Sequence, residues 1–299
     1  MTLAPIILFT YKRLDTLQLT VDALKKNYLA KDSDLIIFSD AAKTSKDQVA
    51  VNNVRTYLKT ISGFKSITIN EANTNKGLAN SIIDGVSLVL QQHESVIVLE
   101  DDLVSSPNFL NYMNEALSFY KYENAVFSIS GYSFNLELSD KIKEDSYFIN
   151  RGWSWGWATW RNRWEQIDWE INDYSNFIQN KNERREFSKG GSDLNAMLDK
   201  QMTGNLDSWA IRWFYNQYKV KGLTLYPVQS KIFNAGFGKE ATHTVGSSKR
   251  YIPVLDKGDK ISQTFPNKIE INNLAQKKFQ KKMGYLSRLK SKIETLLKL

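Results

Sequence analysis

Val96-Ile97-Val98-Leu99-Glu100-Asp101-Asp102 sets four apolar residues directly ahead of three carboxylates. A short apolar run rich in β-branched residues reads as a buried strand, so the acids stand where that strand leaves the core. Carboxylates this close must be paired, solvated or holding a cation. In open α/β sheets, ligands bind beyond the carboxyl ends of the strands, so the acids lie where a metal-bound substrate is expected. The alternative is an acidic turn before the next helix, for which Ser106-Pro107 reads as N-cap and first turn.

The first 130 residues alternate strand and helix signals in the manner of a largely parallel sheet. Pro5 to Thr10 reads as a strand, and Leu14, Leu17, Val21, Leu24 and Tyr28 then recur at helical spacing. Leu35 to Phe38 is the next strand and ends at Ser39-Asp40, and Ser66 to Ile69 is another. The loop Asn73-Thr74-Asn75-Lys76-Gly77 opens a helix with Ile82, Ile83, Val86 and Leu90 on one side. Val126 to Ser130 is a further strand. This order brings Arg13, Asp40, Lys76 and the acidic triplet to one edge of one sheet.

With 299 residues, 42% of them hydrophobic and 24% charged, the chain is long and apolar enough for a full core. Cysteine is absent, so disulfides and thiolate metal sites are excluded, and the composition fits a reducing cytosol. A metal here must use oxygen or imidazole ligands, and only His93 and His243 offer the latter. No stretch approaches the roughly 20 apolar residues of a spanning helix. The net charge of +8 is uneven: residues 268–299 hold nine bases and two acids, a net +7, which leaves +1 for residues 1–267. In the tail, Phe279, Met283, Leu286, Leu289, Ile293, Leu296 and Leu297 form a stripe of near-helical period among lysines. Such a helix suits an anionic membrane surface, and hence a peripheral place on the inner face of the cytoplasmic membrane. The alternative is packing on the rest of the chain or on a second copy, as a homo-oligomer. Few aromatics are interleaved with the bases, which argues against nucleic acid.

Beyond residue 150 the style changes. Residues 151–164 contain five of the eight tryptophans, among them Trp153, Trp155, Trp157 and Trp160, and a second aromatic group at Trp209, Trp213, Phe214, Tyr215 and Tyr218 follows Asp207.

The acidic triplet after a strand, with the first strand ending in Tyr11-Lys12-Arg13 and the second in Ser39-Asp40, resembles the GT-A glycosyltransferases. More narrowly, it is similar to the N-acetylglucosaminyltransferase I-like group and bacterial relatives used in surface-polysaccharide assembly. The resemblance covers about residues 3–245. It implies an α/β, Rossmann-like and mostly parallel sheet flanked by helices, a nucleotide-sugar donor with a UDP-sugar favoured, and Mn²⁺ or Mg²⁺. The expected organisation is a catalytic domain over residues 1–250, with a donor-binding half (1–130) and an acceptor-side half (131–250), followed by a basic amphipathic helical tail over 251–299.

Carried over by position, the resemblance makes Asp102 the direct metal ligand and places Glu100 and Asp101 toward the donor sugar and ribose. Arg13 is matched to phosphate and Asp40 to the base or ribose. Asn75, Lys76 and Asn80 fall where the nucleotide is also touched. Asp207 matches a catalytic carboxylate ahead of a helix, the general base of an inverting transfer onto a glycan or lipid-linked glycan hydroxyl; as a bare residue it also reads as a helix N-cap. Trp153 and Trp155 are matched to sugar packing, against which stands a plain core role. Asn234 to Gly238, followed by Ala241-Thr242-His243, resembles a loop closing over the nucleotide, with His243 on the metal or the diphosphate. A sugar-nucleotide pyrophosphorylase would need a Gly-rich first loop, which is missing after Ile6-Ile7-Leu8. A non-catalytic glycan binder or assembly scaffold would not need both the acidic triplet and Asp207.

Overall fold

The structure is a computed structural model that describes residues 2–237 and 248–296. In its first half, β1 (Ile6–Thr10) leads to α1 (Leu14–Lys25), β2 (Asp34–Ser39) to α2 (Gln48–Leu58), and β3 (Ser66–Glu71) to α3 (Leu78–Leu90). β4 (Ser95–Glu100) passes through β5 (Leu103–Ser105) to α4 (Phe109–Phe119) and β6 (Val126–Ser130). The second half is less regular: β7 (Ser146–Ile149), β8 (Trp157–Trp160), then α5 (Arg161–Trp164), α6 (Tyr174–Gln179), α7 (Lys181–Ser188) and α8 (Leu194–Met202). After these come α9 (Trp209–Lys219), β9 (Leu223–Pro227), β10 (Ile232–Asn234), α10 (Asn273–Met283) and α11 (Tyr285–Leu296).

An eight-stranded sheet has the order β3-β2-β1-β4-β8-β6-β9-β7. The run β3-β2-β1-β4 is parallel. β8 is inserted antiparallel between β4 and β6, so that Ala158 faces Ile97 on one side and Ile129 on the other. The expected α/β architecture with a mostly parallel sheet is therefore present. β1 has β2 on one side and β4 on the other, which is where the chain order reverses and where open α/β sheets form a crevice.

Helices cover both faces of the sheet, which explains why β1 is apolar from Ile6 to Phe9 and wholly buried. Leu17, Val21 and Leu24 of α1 lie in the core on one face with Leu8 and Leu99; Ile82 and Val86 of α3 lie on the other with Ile7, Val98, Trp209 and Trp213. Each fully buried aliphatic side chain of this kind contributes about 1.5–3 kcal/mol, so the spacing read from the sequence is the spacing that holds α1 and α3 in place.

Two expectations differ in detail. α4 begins at Phe109 with Asn108 flanking it, because the Ser106 amide donates to Lys231 O at 2.8 Å and its hydroxyl to Asn108 Oδ1 at 2.8 Å. The C-terminal segment is also not one amphipathic helix. Its first part is a strap fixed by Asp256, whose carboxylate meets Lys231 Nζ at 2.6 Å in a nearly dry ion pair. α10 then docks through Ala275, Phe279 and Met283, all buried. Gly284 separates it from α11.

Candidate active site

The carboxyl ends of β1 and β4 are adjacent, with Phe9 opposite Glu100. Chain continuation past β1 therefore carries Arg13 over the acids that follow β4. Arg13 Nη2 donates to Asp101 Oδ1 at 2.6 Å and to Asp102 Oδ2 at 2.8 Å. The other Asp101 oxygen accepts the Tyr11 amide at 3.2 Å and the Thr10 hydroxyl at 3.4 Å. Asp101 is thus a buried acid tied to the end of β1, whereas the Asp102 side chain remains 13% exposed.

Among the described residues one cation, Arg13, serves the acids of this cluster. Burial pushes Glu100 up to about 8, with Asp102 and Asp101 adding to the shift and Arg13 opposing it. Burial also pushes Asp101 up to about 6, Arg13 opposing and Asp102 adding. For Arg13, burial works against the charge, yet Asp101 and Asp102 outweigh it and raise its pKa. Among the described residues the cluster is short of positive charge, the condition in which a further cation binds favourably.

The loop after β10 closes on the same acids. β10 pairs antiparallel with β5, setting Asn234 opposite Leu103, and Ala235 N donates to Asp102 O at 2.8 Å. A Cβ at Gly236 would fall 2.0 Å from Asp102 Oδ2, so a larger residue there would displace the Asp102 carboxylate. Asn234 Oδ1 accepts the Gly236 amide at 2.7 Å and holds the turn.

Asp40, at the end of β2, is occupied differently. Its Oδ1 accepts the amides of Ala41 and Lys76, each at 2.9 Å, and its Oδ2 accepts Asn75 Nδ2 and the Gly77 amide, each at 3.0 Å. Asn75 Nδ2 also donates to Ala41 O at 2.7 Å. Asp40 and Asn75 therefore build the loop that starts α3, and Gly77, at φ +75°, makes the turn. Lys76 reaches away to Asp84, 2.7 Å from Nζ, and Asn80 Nδ2 donates to Lys76 O at 3.1 Å.

Asp207 stands just ahead of α9. The helix is capped by Ser208, whose hydroxyl accepts the Ile211 amide at 3.4 Å. Asp207 itself is 65% exposed, with Arg212 Nη2 at 3.7 Å. A Cβ at Gly77 would stand 4.0 Å from Asp207 Oδ2, so this carboxylate borders the loop that Asp40 holds.

The two tryptophans differ. Trp153 is 8% exposed, stacked on Tyr132 at 5.3 Å between ring centroids, and enclosed by Phe134 and Phe279. Trp155 is only partly buried, edge-on to Tyr132, Phe237 and Tyr251. His243 lies outside the described residues. Sequence reasoning missed Arg55, which donates to Ala72 O at 2.7 Å and braces the ends of β2 and β3. The available signal was an arginine beside Val54 on the inward side of α2.

Among the described residues no group of three or more His, Asp or Glu side chains is gathered to hold a metal. The donor chemistry nevertheless fits an open site. Mg²⁺-type cations take one or two carboxylates and complete their shell with water and substrate phosphates, and the partly exposed Asp102 carboxylate offers hard oxygen donors of that kind.

Residues 6–183 match the sequence profile of Glycosyl transferase family 2. Among solved structures, the chain is similar to the mannosyltransferase PcManGT from Pyrobaculum calidifontis in complex with GDP-Man and Mn²⁺, at 15% identity and TM-score 0.32, covering 45% of this chain and 36% of that one. It is also similar to S. aureus TarS, at 16% identity and TM-score 0.31, over 43% of this chain and 21% of that one. Against TarS 1–349 the values are 11% and 0.43, over 78% of this chain and 60% of the other. The chain thus spans less than two thirds of each. No curated protein matches it.

Proposed function

Since the chain belongs to glycosyl transferase family 2, we propose that it moves a sugar from a nucleoside-diphosphate donor, a UDP-sugar in the favoured case, to a hydroxyl of a glycan or lipid-linked glycan in bacterial surface-polysaccharide synthesis. The observation that carries this reading is the junction of β1 and β4, where Arg13 spans Asp101 and Asp102 at the switch point of the sheet. The sugar in this reading is a hexose or N-acetylhexosamine, as in the N-acetylglucosaminyltransferase I-like group.

The roles follow from position. Arg13 supplies fixed positive charge for the diphosphate, and Glu100 and Asp101 face the donor's hydroxyls. In this reading Asn75, Lys76 and Asn80 contact the nucleotide, Lys76 by exchanging its ion pair with Asp84 for the donor, and Asp40 holds the loop that carries them toward the base or ribose. Asp102 would hold Mn²⁺ or Mg²⁺, with His243 a further candidate; the cation would offset charge on the departing diphosphate. Trp155, at the open side of the aromatic cluster, offers a ring to the sugar, with Trp153 behind it.

Transfer is proposed to be inverting. Asp207 takes the proton of the acceptor hydroxyl as its oxygen forms a bond to the anomeric carbon. The bond from that carbon to the diphosphate oxygen breaks, and the electron pair leaves with the nucleoside diphosphate. Such a base contributes typically about 10²–10⁴ in rate. The exposure of Asp207 and its place beside the loop at Gly77 support this role.

The test is a panel of nucleotide sugars with Mn²⁺, following donor hydrolysis and protection against thermal unfolding. One donor should protect and turn over. Absence of binding by any donor under any metal condition would sink the reading.

A further inference from the structure

We infer that α11 is a docking element for an anionic lipid bilayer. The sequence stripe runs through both C-terminal helices, but the structure uses the two halves differently. On α10 it is consumed by the core: Phe279 is fully buried, edge-on to Phe134 at 5.4 Å, and Met283 is 3% exposed. On α11 the same stripe faces outward, with Leu286 80%, Leu289 42% and Ile293 47% exposed, at positions i, i+3 and i+7 of one face. Tyr285 beside them is 72% exposed. Among α11 residues whose side chains are described, none is buried.

A helix of twelve residues is marginal in water unless a face is covered. Its root is fixed, since Ser192 Oγ donates to Met283 O at 2.8 Å and Arg288 Nη1 reaches Ser192 Oγ at 3.3 Å. The stripe is therefore presented from a tethered base.

Charge selects the covering surface. Residues 281–294 contain Lys281, Lys282, Arg288, Lys290 and Lys292 against Glu294 alone. A second copy would bring the same positive charge to the same face, whereas anionic head groups complement it while the leucines and isoleucine enter the acyl boundary. This docking goes beyond the proposed chemistry and does not depend on it.

The test uses the full chain with two kinds of vesicle, phosphatidylcholine alone and phosphatidylcholine rich in phosphatidylglycerol. The wild type should sediment with the anionic vesicles and not with the neutral ones, and added salt should weaken the binding. Leu286→Ser/Leu289→Ser/Ile293→Ser, at three exposed positions, should keep its thermal unfolding yet lose at least about ten-fold in partitioning. Lys281→Gln/Lys290→Gln should lose a smaller factor. Failure to bind anionic vesicles, or equal binding by the triple variant, overturns the inference. So does a wild-type dimer in light scattering that the triple variant converts to monomer, since a second copy would then be the occupant.

Discussion

The Gly77 amide donates to Asp40 Oδ2 at 3.0 Å, and the same carboxylate takes three further N–H donors from Ala41, Asn75 and Lys76. A carboxylate filled in this way acts as a staple for the turn into α3. Asp40→Asn replaces one acceptor oxygen with an amide that meets N–H groups head-on. The expected cost is about 1–3 kcal/mol of stability, read from urea unfolding, together with a fall in transfer, because the loop that borders Asp207 loosens. Unchanged stability with only a raised donor KM would mean that Asp40 contacts the donor and does not hold the loop.

Arg13 is the one cation hydrogen-bonded to Asp101 and Asp102 among the described residues. Arg13→Ala leaves Asp101 buried beside an uncompensated neighbour. The loss should approach the roughly 3–5 kcal/mol seen when one partner of a buried pair is removed, reduced by the 20% exposure of Arg13. Mn²⁺ should raise the melting temperature of this variant more than that of the wild type, since it replaces missing positive charge. Equal shifts would separate the metal from these carboxylates.

Arg151 and Asp193 form a buried bidentate pair, at 2.7 and 2.9 Å, between the tryptophan segment and α8. Burial raises the Asp193 carboxyl, but Arg151, with help from Arg288, outweighs it and holds the group below the usual carboxylate range. A depressed folded pKa means that the stabilisation is fully present above the unfolded value, about 3.9, and is lost as pH falls through the folded value. The wild-type urea midpoint should therefore fall steeply below about pH 4. Asp193→Asn should be destabilised at neutral pH and show a shallower fall. Parallel curves would assign the acid transition to other carboxylates.

Trp153 and Trp155 should separate stability from recognition. Trp153→Ala removes a ring packed among Tyr132, Phe134 and Phe279 and should cost about 3–5 kcal/mol. Trp155→Leu, at a partly exposed position, should cost much less and raise the acceptor KM with little change in donor binding. A donor-specific defect would move Trp155 to the other side of the pocket.

What could be read in advance depended on how local the cause was. The run from Val96 to Asp102 revealed β4 and its acids because strand burial and strand ends are written in neighbouring residues. The likeness of Tyr11-Lys12-Arg13 to a strand exit placed Arg13 on the same edge. The fourfold use of Asp40 was not legible, since it depends on a loop 35 to 37 residues away adopting one turn. The burial of Trp153 was hidden for a similar reason: Tyr132 and Phe279 reach it from opposite ends of the second half. Periodicity drew a single stripe through the C-terminal segment, and only tertiary packing divides it into a docked α10 and an outward-facing α11.

The acids after β4 are proposed to bind and activate a nucleotide-sugar. Release of free nucleoside diphosphate from a UDP-sugar in the presence of Mn²⁺ tests it most directly, comparing wild type with Asp102→Ala at matched thermal stability. Steady release by the wild type is expected, abolished by chelation and reduced at least about 10²-fold in the variant. Equal release by the two proteins would contradict it.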